Sequence, residues 1–309
     1  MATFVASAPG RCGIVGNPSD IYGGNVLSCT IPARATCRLT VGQDDHLPED
    51  TRLWDAVAKR FPIEGPVRVE WTTDIPRSSG LSGSTAITAA TLAAVLAARN
   101  ETPDLDTADG LVAYAELVRD VECVGAAIAG GYQDAYVIVH GRCRLMHFAG
   151  KRPGEQGPPA TLEEIEVPLP FVVISTGVQR LSGSVHGPMV QRWLNGDRDV
   201  VEAMETITRL GQEGADALRR GDLVALAAAM TENHRLVAGL GGSGEPIDRL
   251  IAHCLRHGAL AAKLAGAGLG GTVIALTEDA DTLEAKLREE GYTRFLRPER
   301  VEGVRYEQS

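Results

Sequence analysis

The spacing of apolar residues changes several times along the chain, and each change predicts a different element. Alternation of apolar and polar residues predicts strands, and apolar residues three and four positions apart predict helices. The predicted strands are 4–8, 26–31, 34–41, 67–73, 136–140, 142–148, 171–176, 272–276 and 292–296. The predicted helices are 53–61, 85–99, 111–129, 190–194, 200–218, 223–236, 246–257 and 279–290. This order, with most helices in the second half, predicts an α+β fold in which helices cover a mainly antiparallel sheet.

A loop rich in glycine and serine lies between the predicted strand 67–73 and the predicted helix 85–99. Its sequence is Asp74-Ile-Pro-Arg-Ser-Ser-Gly-Leu-Ser-Gly-Ser-Thr-Ala86. A helix start offers unpaired N–H groups and a partial charge of about +0.5, which suit an anion and phosphate in particular. Taken alone, the loop is equally compatible with an ordinary serine-capped turn.

A second stretch of small and polar residues covers positions 8–24. Asn17, Ser19 and Asp20 supply hydrogen-bond donors and acceptors that suit a ligand with several hydroxyl groups. An Asn-Pro-Ser-Asp sequence also forms turns for purely structural reasons, so this stretch alone does not define a site.

A third stretch, 263–271, contains glycines at the spacing G-x-G-x-x-G, which is found in dinucleotide-binding loops. Such a loop follows a strand and precedes a helix. The periodicity here predicts the reverse order, with a helix before the loop and a strand after it. We therefore exclude a nicotinamide site, and no Walker A sequence occurs elsewhere in the chain.

Length and charge limit the remaining possibilities. A chain of 309 residues exceeds the usual size of a single core, so we expect two domains, 1–167 and 168–309. The net charge of −10, without a basic block, argues against nucleic acid or a membrane as the main partner. Because there is no recognisable export signal and the six cysteines are dispersed along the chain, we expect a cytoplasmic protein. We also expect a monomer or a homodimer.

Together and in this order, the three loops resemble the three motifs of the GHMP kinases, the family of galactokinase, homoserine kinase and mevalonate kinase. Residues 8–16 resemble the first motif, 76–86 the phosphate loop and 263–271 the third motif. The chain departs from the usual motifs at Gly83, Thr85 and Ala265. The resemblance covers nearly the whole chain. It implies a two-domain fold with a mixed or antiparallel sheet in the N-terminal domain and a ferredoxin-like α/β plait in the C-terminal domain.

The resemblance also implies roles for individual residues in an ATP-dependent phosphoryl transfer that uses Mg²⁺. Asp134 would act as the catalytic base, and Arg11 would steady the attacking oxygen and the transferring phosphoryl group. Ser84 and Glu122 would bind Mg²⁺, although Glu122 is also compatible with an ordinary solvated helix carboxylate. The residues expected to bind the nucleotide are Ser78, Ser79, Gly80, Leu81, Ser82, Gly83, Ser84, Thr85 and Gly268.

The acceptor is less well defined, although a sugar or sugar acid is expected. Residues 16–20 and 184–197 resemble glucuronokinases, whereas 130–134 and 232–235 are equally close to bacterial heptose 7-phosphate kinases. Phosphorylation of glucuronate at C1 is the first expectation. A heptose 7-phosphate kinase, another small-molecule kinase and a non-catalytic sensor are the alternatives. The residues expected to contact the sugar are Asn17, Ser19, Asp20 and Tyr22, with Arg180, His186 and Arg192 as candidates for binding a carboxylate.

Overall fold

Two antiparallel sheets and the helices packed on them form the protein. The computed structural model describes residues 2–42, 44–128, 130–155, 157–178, 183–266 and 271–308, and at 183–186 it describes the backbone alone. The strands are β1 (Ala2–Val15), β2 (Asn25–Val41), β3 (Val67–Thr73), β4 (Cys143–His147), β5 (Thr161–Glu164), β6 (Phe171–Ser175), β7 (Ala261–Leu264), β8 (Thr272–Leu276), β9 (Phe295–Leu296) and β10 (Arg305–Tyr306). The α-helices are α1 (Arg52–Arg60), α2 (Gly83–Ala98), α3 (Ala108–Asp120), α4 (Tyr132–His140), α5 (Gly183–Leu194), α6 (Arg198–Arg220), α7 (Leu223–Gly239), α8 (Glu245–Arg256) and α9 (Ala280–Glu289). Among the described residues, no helix combines the length and apolar character needed to cross a bilayer.

The first sheet has the strand order β10-β1-β2-β4-β5, and β3 also pairs with β2. The sequence predicted a hairpin turning near Pro32, which is wrong, because β2 runs unbroken from Asn25 to Val41 and pairs with β1 on both sides of that proline. The ladder is interrupted between the pairs Pro9–Arg34 and Arg11–Thr30. Pro32 falls in this gap, and a β-bulge is one of the few places where a sheet tolerates a residue without an N–H group.

The second sheet has the order β7-β8-β6-β9, and all of its strand pairs are antiparallel. The sequence predicted that a helix leads directly into the third glycine loop. This is wrong, because β7 lies between them. All four residues of β7 are buried, and so short an apolar run shows no periodicity that would reveal a strand. A strand also follows the loop, so the helix that a dinucleotide loop requires is still missing.

Helix α4 replaces a predicted strand at 136–140. The run Tyr-Val-Ile-Val favours a strand by local propensity, but propensity is a weak guide where tertiary contacts decide. A carboxylate oxygen of Asp20 accepts a hydrogen bond from the N–H of Gln133 in the first turn, at 3.0 Å. A negative charge at a helix N-terminus stabilises the helix by about 0.3–1 kcal/mol.

Helix α2 packs against β1 and β2 at the centre of the protein. It is buried on most sides, with fully buried Leu92 and Val95, which explains why it lacks an amphipathic pattern. Burial stabilises each of these side chains by roughly 1.5–3 kcal/mol. The N-terminus of α2 is thereby fixed directly after the loop 76–82.

The helices packed on antiparallel sheets confirm the predicted α+β class. The division into 1–167 and 168–309 stays a prediction. The sheet changes between β5 and β6, whereas β10, near the end of the chain, pairs with β1 of the first sheet.

Candidate active site

Backbone contacts bring the three small-residue loops together. The N–H of Arg11 donates to the carbonyl of Leu81 at 3.2 Å, which joins β1 to the phosphate-loop stretch. The N–H of Gly13 donates to the carbonyl of Ala265 at 2.9 Å, which joins the same strand to the third loop. The strand β1 therefore lies between the other two loops and holds both.

The phosphate-loop stretch 76–86 and the glycine loop 263–271 also pack directly on each other. The hydroxyl of Thr272 donates to the carbonyl of Ser79 at 3.1 Å. A Cβ atom at Gly266 would lie 2.4 Å from the carbonyl oxygen of Gly80, and one at Gly271 would lie 2.5 Å from that of Ser79. Both distances are too short for a side chain, so glycine is required for this contact.

We expect Gly266→Ala to lower the free energy of unfolding by about 1–3 kcal/mol, because the new methyl group would force the backbone of the Gly80 segment away. Gly239→Ala is the matched control, because a Cβ atom at Gly239 meets nothing within 4 Å. Urea unfolding of both variants measures the difference. Equal stability of the two variants would mean that the loops are not in close contact.

The loop that precedes α2 has an unusual backbone. Ser78 and Ser82, which are not glycines, have positive φ angles of 52° and 59°. Such residues cost about 1–2 kcal/mol each and are concentrated at functional sites. Ser82 occupies the N-cap position of α2 without a side-chain capping bond, and its buried hydroxyl has no partner among the described residues. The first N–H groups of α2 consequently remain available to a ligand.

Arg11 and Asp134 form an ion pair beside this loop. Arg11 is only 5% exposed, and its Nε and Nη2 atoms contact Oδ1 of Asp134 at 2.7 and 2.5 Å. Its Nη1 donates to the carbonyl of Gly80 at 2.7 Å. Arg11 directly follows the register shift between Pro9 and Arg11 in the β1–β2 ladder. Among the residues that the structure describes, the second carboxylate oxygen of Asp134 accepts no hydrogen bond.

Glu122 lies in a single π-helical turn, Val121–Gly125, that follows α3. Its side chain is buried, and its Oε1 accepts a hydrogen bond from the hydroxyl of Ser84 in the first turn of α2, at 2.7 Å. Burial raises the pKa of Glu122 to about 7, and the negative charge of Asp134 acts in the same direction. A carboxylate and a hydroxyl therefore face each other next to the Arg11–Asp134 pair.

The stretch 8–24 is held by a buried polar network around Asn17. Lys263 is fully buried, and its Nζ donates to Oδ1 of Asn17 at 2.8 Å and to the carbonyl of Leu264 at 2.7 Å. Asn233, on α7, accepts from the N–H of Gly16 and donates to the carbonyl of Asn17. Burial lowers the pKa of Lys263 to about 7. The side chain of Asn17 thus links this loop to β7.

The other predicted sugar contacts lie in different surroundings. Ser19 is fully buried with its hydroxyl 3.4 Å from the carbonyl of Asn25, and Asp20 caps α4. The ring of Tyr22 packs against Trp193 with centroids 5.7 Å apart. Arg192 is 40% exposed and forms an ion pair with Asp197 at 2.8 Å. Arg180, Gly268 and the side chain of His186 lie outside the described residues.

A cavity of about 400 Å³ opens next to the N-terminus of α4. Its walls include Arg119, Cys123, Tyr132 and Arg152. Arg119 is not among the site residues predicted from the sequence. It occupies the last turn of α3, where a cation is common because it interacts favourably with the helix dipole, so its position gives no functional signal.

Comparison with known families agrees with the sequence motifs. The model of the GHMP kinase N-terminal domain matches residues 51–142, and the model described as GHMP kinases C terminal matches residues 215–293. Together the two models match more than half of the chain. The first includes the phosphate-loop stretch and Asp134, and the second includes the third glycine loop.

Individual proteins show the same relationship over nearly the full length. The chain is 27% identical to a probable glucuronokinase 2 of Arabidopsis thaliana over 91% of the chain and 87% of that protein. It is also 27% identical to a mevalonate kinase of Archaeoglobus fulgidus, over 88% and 92%. The fold matches that of Lactococcus lactis galactokinase complexed with galactose with a TM-score of 0.73 at 16% identity, over 98% and 95% of the two chains. The chain therefore belongs to the GHMP kinase family and is an ATP-dependent kinase that phosphorylates a hydroxyl group of a sugar or related small molecule.

Proposed function

We propose that the protein transfers the γ-phosphate of ATP to the C1 hydroxyl of glucuronate. The observation that carries this proposal is the Arg11–Asp134 ion pair, which contacts the phosphate-loop stretch at the carbonyl of Gly80. Asp134 lies two residues after Tyr132, which is part of the wall of a cavity with cationic side chains. The full-length similarity to a glucuronokinase supports the choice of acceptor. The similarity to a mevalonate kinase is equal in identity, and mevalonate is therefore one of the acceptors to be compared.

Asp134 is the proposed base. It would accept the proton of the acceptor hydroxyl through Oδ2, because Oδ1 already accepts two contacts from Arg11. The side chain of Arg11 is fixed between Asp134 and the carbonyl of Gly80. From this position the guanidinium can both orient the carboxylate and offset the negative charge of the transferring phosphoryl group.

The loop 78–85 is the proposed binding site for the ATP phosphates. Positive φ angles at Ser78, Gly80 and Ser82 turn the chain sharply before the N-terminus of α2. The uncapped first turn of α2 and the unpartnered hydroxyl of Ser82 offer hydrogen-bond donors to phosphate oxygens. The contacts with Gly266 and Gly271 would hold this loop in place.

Ser84 and Glu122 are the proposed protein ligands of Mg²⁺. Their oxygen atoms lie 2.7 Å apart, and the buried carboxylate of Glu122 has no cationic partner at salt-bridge distance among the described residues. No cluster of three or more histidine, cysteine or acidic side chains suited to a metal occurs in the described ranges. One hydroxyl and one carboxylate fit Mg²⁺, which usually completes its octahedral shell with phosphate oxygens and water. The bound ion would offset the charge of the phosphate oxygens.

The proposed reaction is tested by measuring ADP release with a panel of acceptors. The panel contains glucuronate, galacturonate, galactose, arabinose, mannoheptose 7-phosphate and mevalonate, each with ATP and Mg²⁺. We expect the highest kcat/KM with glucuronate. A higher kcat/KM with mannoheptose 7-phosphate or mevalonate would identify that compound as the acceptor instead. If no acceptor causes ADP release although ATP still binds, a non-catalytic sensor is favoured.

A further inference from the structure

The charged side chains in the described wall of the cavity beside α4 are all positive. Arg119 and Arg152 are the charged side chains among its described wall residues, and that part of the wall contains no carboxylate. The remaining wall is formed largely by glycine and apolar residues, with Gly130 and Gly131 next to the start of α4. Since glycines leave space for a ligand and the two guanidinium groups favour negative charge, the cavity suits a small anionic molecule.

The guanidinium of Arg119 is held in place without being neutralised by a carboxylate. Its central carbon lies 4.0 Å from the centroid of the Tyr132 ring, which is a close cation–π contact. Its Nε is buried and has no hydrogen-bond partner among the described residues. A buried donor without an acceptor is costly in free energy. Solvent does not reach Nε in this structure, so a ligand supplies the acceptor only after the side chain shifts.

Two other cations near the site, Lys151 and Arg192, are already paired, and Arg152 in the cavity wall is exposed. Lys151 also contacts the Tyr132 ring, but its Nζ donates to Glu116 at 2.7 Å. Arg192, which the sequence suggested as a carboxylate partner, pairs with Asp197. Arg119 therefore differs from its neighbours in combining a fixed position with an unused donor.

We propose that Arg119 binds the anionic group of the acceptor, a carboxylate or a phosphate, and so selects charged over neutral acceptors. The inference rests on the proposed function, because it assigns a residue to the acceptor site of that kinase. The side chain that holds Arg119, Tyr132, lies in the same first turn of α4 as Asp134. Asp134 lies two residues after Tyr132 and is not itself a wall residue of the cavity, so the proposal requires an acceptor that extends from the cavity to the proposed base.

Arg119→Gln tests this role through the ratio of two rates. We expect kcat/KM for glucuronate to fall on the order of 10²-fold, because a charge-assisted hydrogen bond is lost. We expect kcat/KM for glucose, which has the same ring but no carboxylate, to change less than threefold. Arg119→Lys keeps the charge but not the guanidinium geometry, and should lie between the wild type and Arg119→Gln. A change confined to folding or stability would lower both rates equally and would overturn the proposal.

Two further variants provide controls. Arg198→Gln removes a guanidinium whose side chain is 88% exposed, and it should leave both rates unchanged. Arg192→Gln tests the competing residue. If Arg192→Gln rather than Arg119→Gln causes the selective loss with glucuronate, Arg119 is not the anion contact.

Equilibrium binding separates this proposal from the proposed reaction. Calorimetric titration of the wild type and Arg119→Gln with glucuronate, with mannoheptose 7-phosphate and with glucose needs no turnover. If no acceptor is phosphorylated but Arg119→Gln selectively weakens binding of either anion, the proposed reaction fails and the anion site stands. Whichever of the two anions binds the wild type more tightly identifies a carboxylate or a phosphate as the preferred group. Equal affinity in the two proteins, or no binding by the wild type at millimolar ligand, would overturn the anion site.

Discussion

Replacing Asp134 with asparagine is expected to lower kcat by about 10²–10⁴-fold while leaving ATP binding largely intact. The amide can still accept the contacts that Arg11 makes with Oδ1, so the geometry around Gly80 should persist. The amide cannot accept the proton of the acceptor hydroxyl. The expected result is therefore loss of the chemical step rather than loss of the folded site.

Single-turnover measurements with saturating ATP and acceptor give the rate of this step, and titration with a nucleotide analogue gives the affinity. Asp199→Asn is a suitable control, because Asp199 is exposed in the first turn of α6 and remote in sequence from the site. Turnover of Asp134→Asn within a few-fold of the wild type would exclude Asp134 as the base.

Replacing Glu122 with glutamine is expected to reduce kcat/KM for Mg²⁺-ATP on the order of 10²-fold, because a charged oxygen ligand of the ion is lost. The amide oxygen can still accept the hydrogen bond from Ser84, so the local packing should change little. Activity is measured as a function of Mg²⁺ concentration. An unchanged Mg²⁺ requirement would exclude Glu122 as a metal ligand.

The same substitution has a predicted effect on stability that depends on pH. The pKa of Glu122 is raised from the ordinary 4.5 to about 7 by burial, so between these values the folded protein binds more protons at this site than the unfolded chain. The contribution of Glu122 to stability is therefore favourable at low pH and falls as the pH rises through this window. The expected loss by pH 8 is up to about 3 kcal/mol.

Two half-buried histidines, His140 and His234, act in the opposite direction in an overlapping pH range. Burial lowers the pKa of His140 and His234 to about 4, which makes stability rise with pH between that value and their ordinary 6.5. For this reason the informative quantity is the difference between Glu122→Gln and the wild type. Without nucleotide, the variant should gain stability relative to the wild type as the pH rises from 4.5 to 8. A difference that does not vary with pH would contradict the raised pKa.

The sequence was most informative where chemistry restricts the residue type. Phosphate binding at a helix N-terminus needs small residues before the helix, and the stretch ending at Ser84 has this pattern. The structure brings this stretch next to Arg11, Glu122 and Asp134, although these residues are far apart in the chain. The motif resemblance placed them in one site, which periodicity alone did not do.

The sequence was least informative where tertiary contacts decide the conformation. The stretch 136–140 reads as a strand but forms the second half of α4. The N-terminus of this helix is capped by Asp20, which lies in the stretch 8–24. Pro32 reads as a turn but lies where the ladder between β1 and β2 is interrupted. Arg119 looks like an ordinary helix-terminal cation, and only its contact with Tyr132 and its unpartnered Nε distinguish it. Each of these properties depends on a segment distant in sequence.

The most direct test of the proposed reaction is phosphorus NMR of the product formed from glucuronate, ATP and Mg²⁺. We predict that the γ-phosphate signal of ATP decreases while a phosphate ester coupled to the anomeric proton of glucuronate appears. The Asp134→Asn protein, examined in parallel, should form this ester at a greatly reduced rate. If the wild type binds ATP and glucuronate but forms no ester, or forms one at another hydroxyl, the proposed phosphorylation at C1 is wrong.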